Sequence, residues 1–455
     1  MTRSSTIRGL LALGLAAAPM LSIAAAQSPW PDSPSMEQEK YEPVPMPSGF
    51  QVVVSEQEGP VFADARGHTL YQWPVRQLRN GPVGERKSQP SCDDTKYTVN
   101  SGLMSPYPGG FELPEVETRP SCLDVWPAVL AEDDATPVDK WTIAERKDGT
   151  RQWVYDGYAL YTSVLDDAPG EVNGAISGTT GEVGARRPVQ VPSMVPPQFR
   201  VETLLVGRIL TTDTGQMVYA SEQDAPDESR CDAACLEKWA PILAPAYVTA
   251  RGDFSAIERA PGIRQWTFRK QPLYTYIGEP MYKMYGSDEP GWDNVYVQYT
   301  PKPPAAFTVQ ESPTGLVLAD KNGMTVYRYN CVDDALDQLA CDYPEAPQAY
   351  RFTVCGGGDV ERCLESFPYV EAEEGANSDS QLWSVMWIDP MTGKRAMPDQ
   401  AGALRVWAYR ERPIYTHFRD KAPGDMRGDT WGEFYGYRNG YKAFWLRSDF
   451  GRRLP

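Results

Sequence analysis

The stretch RQWVYDGYALYTSVLDDAPGEVNG, residues 151–174, decides how this chain is read. Its opening residues alternate, and in a strand Arg151, Trp153 and Tyr155 would share one face. A glycine follows at 157, then a Leu-Tyr pair, then an acid-Pro-Gly turn. The same order returns as RQWTFRKQPLYTYIGEP from residue 264 and as RVWAYRERPIYTHFRDKAPGDMRG from residue 405, with Arg264, Trp266 and Phe268, then Arg405, Trp407 and Tyr409, in the alternating places.

Working outward, three plainer relatives interleave with these. GPVFADARGHTLY at 59–71, GRILTTDTGQMVY at 207–219 and GLVLADKNGMTVY at 315–327 place glycine twelve residues before a tyrosine, as Gly149 precedes Tyr161 and Gly262 precedes Tyr274; Ala403 stands in the same relation to Tyr415. Gly67, Gly157, Gly215 and Gly323 sit at the eighth step, where a hairpin connection asks for the positive φ that glycine accepts. After each plain copy comes a cysteine four residues before an aromatic: Cys122 and Trp126, Cys235 and Trp239, Cys363 and Phe367. After each Arg/Trp copy comes a turn: DDAPGEVNG, SDEPGWDN or DKAPGDMRGD. The duplicated unit is therefore a pair of copies, and the chain holds three pairs.

Tyrosine followed at the fifth place by an acid, together with the Cys-Trp-Pro segment and the RQW…LY strands, resembles a bacterial family of secreted repeats of unknown function, the predicted lipoproteins with a Tyr-x-aromatic-x-x-Asp motif. The resemblance runs over roughly residues 50 to 450. Tyr161 and Asp166, Tyr219 and Asp224, and Tyr415 and Asp420 match the motif's ends; Tyr274 and Glu279 nearly do; Arg76 and Val332 stand where acids would follow Tyr71 and Tyr327. The third place holds an aromatic at Trp73, Tyr276 and Tyr329 but Ser163, Ser221 and His417 elsewhere. The family carries no activity to transfer.

The fold expected is all-β: six quasi-repeated antiparallel units in three pairs, arranged as tandem β domains or as a six-bladed propeller-like ring. FQVVVSEQ, WTIAERKD, RVETLLV, FSAIERA and FTVQESP read as leading strands, YVQY and AFWL as trailing ones, and the first and last pairs carry long insertions. The divisions are a signal peptide at 1–26, a Pro-rich linker rather than a packed element at 27–47, and repeat pairs at 48–192, 193–303 and 304–455.

Composition sets the compartment. Arg3 and Arg8 precede a short, Ala-rich apolar run ending in Ala24-Ala25-Ala26, which reads as a secretory leader with the mature chain starting at Gln27. No cysteine lies near that cut to carry an acyl anchor, and no later run is long enough to span a bilayer. Removing the leader takes away two arginines and no acid, which moves the formal charge from −17 to −19. Such a field repels phosphate backbones and argues against nucleic acid.

The 8 cysteines all follow residue 90 and read as disulfides of an exported chain. Cys92 with Cys122 and Cys231 with Cys235 are expected, with two bridges among Cys331, Cys341, Cys355 and Cys363. Only His68 and His417 are present, so neither a zinc cluster nor a Ser-His-Asp triad is expected. No cofactor is expected either. There is no G-x-S-x-G elbow, no H-E-x-x-H and no phosphate loop; GEVGARR and CGGGDVERC do not fit an anion cradle.

Two groups of residues are candidates for a site. Tyr161, Asp166, Tyr219, Asp224, Tyr274, Glu279, Tyr415 and Asp420 offer tyrosine beside acid, which is proton donor beside general base if exposed and packed ring beside turn cap if buried. Arg151, Trp153, Arg264, Trp266, Arg405 and Trp407 offer stacked cation and ring, which serve either as cross-strand cement or as platforms for sugars or quinones. The acid-rich Pro-Gly turns suit calcium in their oxygen content but lack the ligand spacing of an EF-hand. The leading reading is a non-enzymatic, exported cell-envelope module, periplasmic or secreted, that binds or scaffolds an envelope protein or glycan. The alternative is an envelope carbohydrate-active hydrolase using paired carboxylates.

Overall fold

The computed structural model describes residues 28–31, 37–78, 81–96, 100–101, 111–112, 120–174, 186–330, 349–432 and 440–446. The leader, Cys331 and Cys341 lie outside the described residues. The fold is all-β with repeated units. Among the described residues the sheets are antiparallel, and none closes into a barrel. Short helices, Cys122–Val125, Ala349–Gly356 and Val360–Ser366, lie beside the cysteines.

Each copy begins with a two-stranded meander. Phe50–Ser55 pairs with Gly59–Asp64, Trp141–Glu145 with Arg151–Tyr155, Phe199–Thr203 with Gly207–Thr212, Phe254–Ala260 with Ile263–Phe268, and Phe307–Ser312 with Gly315–Asp320. The sixth leading strand, Trp383–Ile388, pairs with Leu404–Tyr409. It escaped the sequence reading because WSVMWI is apolar at every position but one and shows no alternation.

The turns that leave these meanders differ between the two kinds of copy. In the Arg/Trp copies a two-residue loop has positive φ at both places: Asp156 and Gly157, Arg269 and Lys270, Arg410 and Glu411. In the plain copies a side chain builds the turn. Asp64 Oδ1 accepts from the backbone N–H of Arg66 and His68, Asp320 Oδ1 from those of Asn322 and Met324, and Thr212 Oγ1 from that of Gln216.

Copies are joined within a pair, not strung side by side. In the second pair the strands Trp239–Pro241, Tyr274–Tyr276, Tyr219–Ser221 and Trp292–Asn294 form one sheet drawn from both copies. In the third, Leu404–Tyr409, Arg412–Tyr415, Tyr327–Asn330 and Gly440–Ala443 do the same. A returning segment then closes each pair onto the second strand of its plain copy, through the bridges Val61 to Gln190 and Val317 to Trp445 and the pairing of Gly207 with Tyr299.

An aromatic contact repeats across every pair. Phe50, Phe199 and Phe307 open the plain copies, and each meets the Trp of its partner copy edge to face: Trp153 at 5.6 Å, Trp266 at 5.9 Å and Trp407 at 5.4 Å between ring centres. All three indoles are buried. Edge-to-face geometry sets the positive ring edge on the negative face, which adds to the apolar burial.

The Pro-rich segment packs where it is described, at residues 28–31 and 37–47. Trp30 is buried and its indole N–H donates to Thr300 Oγ1 at 3.1 Å. Glu39 is buried in an ion pair with Arg208 at 2.8 Å, and Tyr41 bridges to Ser193. Proline content predicts an extended backbone but does not say whether a groove receives it. Close by, Gln57 joins the pairs: its Oε1 accepts from Tyr409 Oη at 2.8 Å and from Arg410 at 3.3 Å, and its amide donates to Leu204 O at 3.4 Å.

Truncating a buried indole removes its apolar area and leaves a cavity. Trp153→Ala, Trp266→Ala and Trp407→Ala are each expected to lower stability by roughly 3–5 kcal/mol, read by thermal or denaturant unfolding.

Candidate functional site

The motif tyrosines meet one another before they meet anything else. Tyr71 bridges to Tyr161, Tyr219 pairs with Tyr274 and Tyr327 pairs with Tyr415, each plain copy against its Arg/Trp partner. All six rings are fully buried, from 0% to 1% exposed.

The acids are exchanged between the partners. Tyr219 Oη donates to Glu279 Oε1 at 2.8 Å, while Tyr274 Oη donates to Asp224 Oδ2 at 2.8 Å. Each hydroxyl is served by the carboxylate that follows the other tyrosine. The same exchange gives Tyr71 to Asp166 Oδ2 at 2.6 Å and Tyr327 to Asp420 Oδ2 at 2.6 Å. A motif with its two ends five residues apart thus makes its hydrogen bond 50 to 95 residues away.

Two copies lack the acid, and for one of them the pair supplies another acceptor. Arg76 cannot serve Tyr161, and Glu85 does so at 2.6 Å, taking three further bonds from Ser91 and from Cys92 N. Val332 lies outside the described residues; the buried Arg351 guanidinium sits 4.7 Å from the Tyr415 ring centre, a cation on a ring face and not an acceptor for the hydroxyl. Arg186 sits likewise in the first pair, 4.5 Å from the centre of Trp73 and 4.8 Å from that of Trp126. Glu85, Arg186 and Arg351 were not found by the sequence reading. They fall outside the repeat frame, so spacing carries no signal for them.

Each acid also closes the loop that follows it. The second carboxylate oxygen of Asp166 accepts from Asn173 N at 2.7 Å, that of Asp420 from Arg427 N at 2.8 Å and that of Asp224 from Arg230 N at 2.6 Å. Glu279 Oε1 takes Gly286 N at 3.0 Å beside its tyrosine. A carboxylate with two or more donors replaces the water it loses on burial. At Gly286 the chain passes so close to the rings that a Cβ would fall 2.7 Å from Tyr219 Cζ and 2.8 Å from Trp239 Cη2. A glycine is therefore required there.

The cysteine segments supply the roof. Trp126, Trp239 and Phe367 stand edge to face against Tyr71, Tyr219 and Tyr327 at 5.2, 5.2 and 6.1 Å. Their segments are held by disulfides Cys92–Cys122, Cys231–Cys235 and Cys355–Cys363, with Cα atoms 5.3, 5.2 and 4.8 Å apart.

Burial governs the electrostatics. Loss of hydration, then the neighbouring carboxylate, drives the Tyr71, Tyr161 and Tyr219 hydroxyls far above their ordinary range, so they remain neutral donors. Burial likewise raises Glu279 and Asp420, and pushes Asp166 up to about 7 against the opposing bonds from Tyr71 and Asn173. His417 is lowered to about 4 by burial, and one of its ring nitrogens lies 3.0 Å from Ser366 O.

The second candidate group is spread out. Arg151 donates to Glu132 O and Asp133 O at 2.9 and 2.8 Å, Arg264 to Ala246 O and Val248 O at 3.1 Å each, and Arg405 to Glu373 O and Ala376 O. In all three copies the guanidinium ties the carbonyls of the incoming loop. Among the described residues no three His, Cys, Asp or Glu side chains converge as a metal-ligand set.

Residues 142–182, which span the second copy and its acid-Pro-Gly turn, match the model of a family described as a secreted repeat of unknown function. No curated protein and no solved structure matches the chain.

Tyr219→Phe leaves a buried carboxylate one donor short and is expected to cost about 1–3 kcal/mol, whereas Tyr247→Phe, at a ring 97% exposed, should cost nothing measurable in the same denaturant series. Asp166 gives a pH signature. Its folded carboxyl holds the proton up to about pH 7, while in the unfolded chain the ordinary value is 3.8. Protonation therefore favours the folded state, and this contribution is fully present below about pH 4 and lost as pH rises through 7. Between pH 8 and pH 5 the wild type should gain on the order of 3 kcal/mol more stability than Asp166→Asn, measured by unfolding at each pH.

Proposed function

We propose that this chain is an exported cell-envelope protein that acts as a non-enzymatic binding or scaffold module, with the three repeat pairs, 48–192, 193–303 and 304–455, as its domains. One observation carries the reading: the chemistry that repeats in all three pairs is turned inward. Five tyrosine-to-carboxylate bonds are made in the interior, and the acids concerned are at most 8% exposed. A general acid or base must reach its substrate. These groups serve the fold, and the paired carboxylates that a carbohydrate hydrolase would need are not supplied by the repeated motif.

Export is supported by the family description and by the disulfides, which persist in oxidising compartments. Among the described residues no helix is long and apolar enough to cross a membrane. The partner is proposed to be an envelope protein or glycan, and the net charge of −17 argues against nucleic acid. Apolar side chains left on the surface of the second pair, Leu243 at 59%, Tyr247 at 97% and Ile263 at 48% exposed, give a partner more to hold than the buried motif does.

The test is capture from envelope extract by the mature protein, alongside release of reducing sugar from envelope glycans. Capture that survives Tyr219→Phe but falls at least tenfold in a Leu243→Asp, Tyr247→Ala variant is the expected result. Glycan cleavage abolished by replacing two facing carboxylates would replace this reading with the hydrolase.

A further inference from the structure

We propose that Cys231–Cys235 is a thiol-exchange site: an external dithiol opens it while the fold stays intact, and opening it frees the loop that serves Tyr274 and Asp224. Three described disulfides roof the three pairs, and two of them are buried, with Cys92 and Cys122 at 1% exposed, Cys355 at 6% and Cys363 at 0%. The third is different. Cys231 and Cys235 are both partly exposed, and Asp232, Ala233 and Ala234 between them are exposed, as are Leu236, Glu237 and Lys238 beyond. An attacking thiolate needs access to a sulfur along the S–S axis, and access is what separates labile bonds from structural ones.

Loop length points the same way. A disulfide stabilises chiefly by restricting the unfolded chain, and the restriction grows with the span it closes. Cys231–Cys235 spans 4 residues against 30 for Cys92–Cys122, so its loss withdraws the least constraint. The sheet of the second pair is also held by backbone pairing of Tyr219 to Tyr274 and of Trp239 to Tyr276, which does not pass through either sulfur.

The bond nevertheless reaches the interior through a short chain of hydrogen bonds. Cys231 N donates to Ser229 Oγ at 3.4 Å, Ser229 Oγ lies 2.6 Å from Tyr274 Oη, and Arg230 N donates to Asp224 Oδ1. Arg259 ties the same loop, donating to Cys231 O at 3.1 Å and to Ser229 Oγ at 2.5 Å. The residues next to the exposed disulfide are thus the ones that complete the Tyr274–Asp224 bond.

The exchange balances with a dithiol as co-reactant. One thiolate of the reductant attacks one sulfur, the S–S bond breaks, and its electron pair leaves on the other cysteine, which takes up a proton. The reductant's second thiol then displaces the mixed disulfide. Cys231 and Cys235 end as thiols and the reductant ends as its own disulfide.

The experiment titrates the mature protein with dithiothreitol, traps thiols by alkylation and maps peptides, with amide hydrogen exchange recorded on the same samples. Cys231 and Cys235 should be labelled at dithiol concentrations at least tenfold below those that label Cys92, Cys122, Cys355 and Cys363, with faster exchange confined to residues about 224–235. Labelling of all six cysteines together would overturn the exchange site. Selective labelling with unchanged exchange at 224–235 would overturn the coupling to Tyr274. A Cys231→Ser, Cys235→Ser variant separates the two, since it should show the faster exchange with no reductant added.

Discussion

The fold rests on an exchange. A tyrosine in one copy is satisfied by a carboxylate that the other copy provides, five times over in the three pairs, so the halves of a pair are tied by polar groups that one supplies to the other. Burying a hydroxyl or a carboxylate without a partner costs more than the net worth of the bond that satisfies it. The polar motif therefore acts as a specificity device, permitting association of the two halves in one register and penalising others. The apolar contacts agree with it: the Phe that opens one copy meets the Trp of the other, and the Trp or Phe behind each second cysteine caps the plain-copy tyrosine.

Much of this was legible in the amino acids. Glycine spacing, the Arg-x-Trp alternation and the Cys-x-x-x-aromatic segments were enough to set out three pairs and an all-β fold, because strands and tight turns leave local periodicity. The route of the hydrogen bonds was not legible. Tyr161 and Asp166 read as a unit because they are five residues apart, whereas their partners are Glu85 and Tyr71, 76 and 95 residues away. Nothing local distinguishes a tyrosine that bonds its own turn from one that bonds its neighbour's.

The departures from the motif were legible as departures only. Arg76 broke the pattern visibly, yet Glu85, which stands in for the missing acid, is one acid among 61. The Pro-rich segment failed in the same way, since Trp30 and Glu39 are conspicuous in a linker only once the groove that receives them is known. Compensation is a tertiary property, and a single sequence records the loss without recording the answer.

The returning segment has a consequence for how such chains change over time. Because it brings the end of each pair back to the second strand of its own first copy, a pair begins and ends at the same place in space. A whole pair could then be gained or lost where the contacts it makes to its neighbours, such as those of Gln57 to Leu204 and Tyr409, were made good. Half a pair could not, for it would carry a buried hydroxyl and a buried acid each waiting on an absent sibling. Chains built this way should thus grow by even numbers of copies.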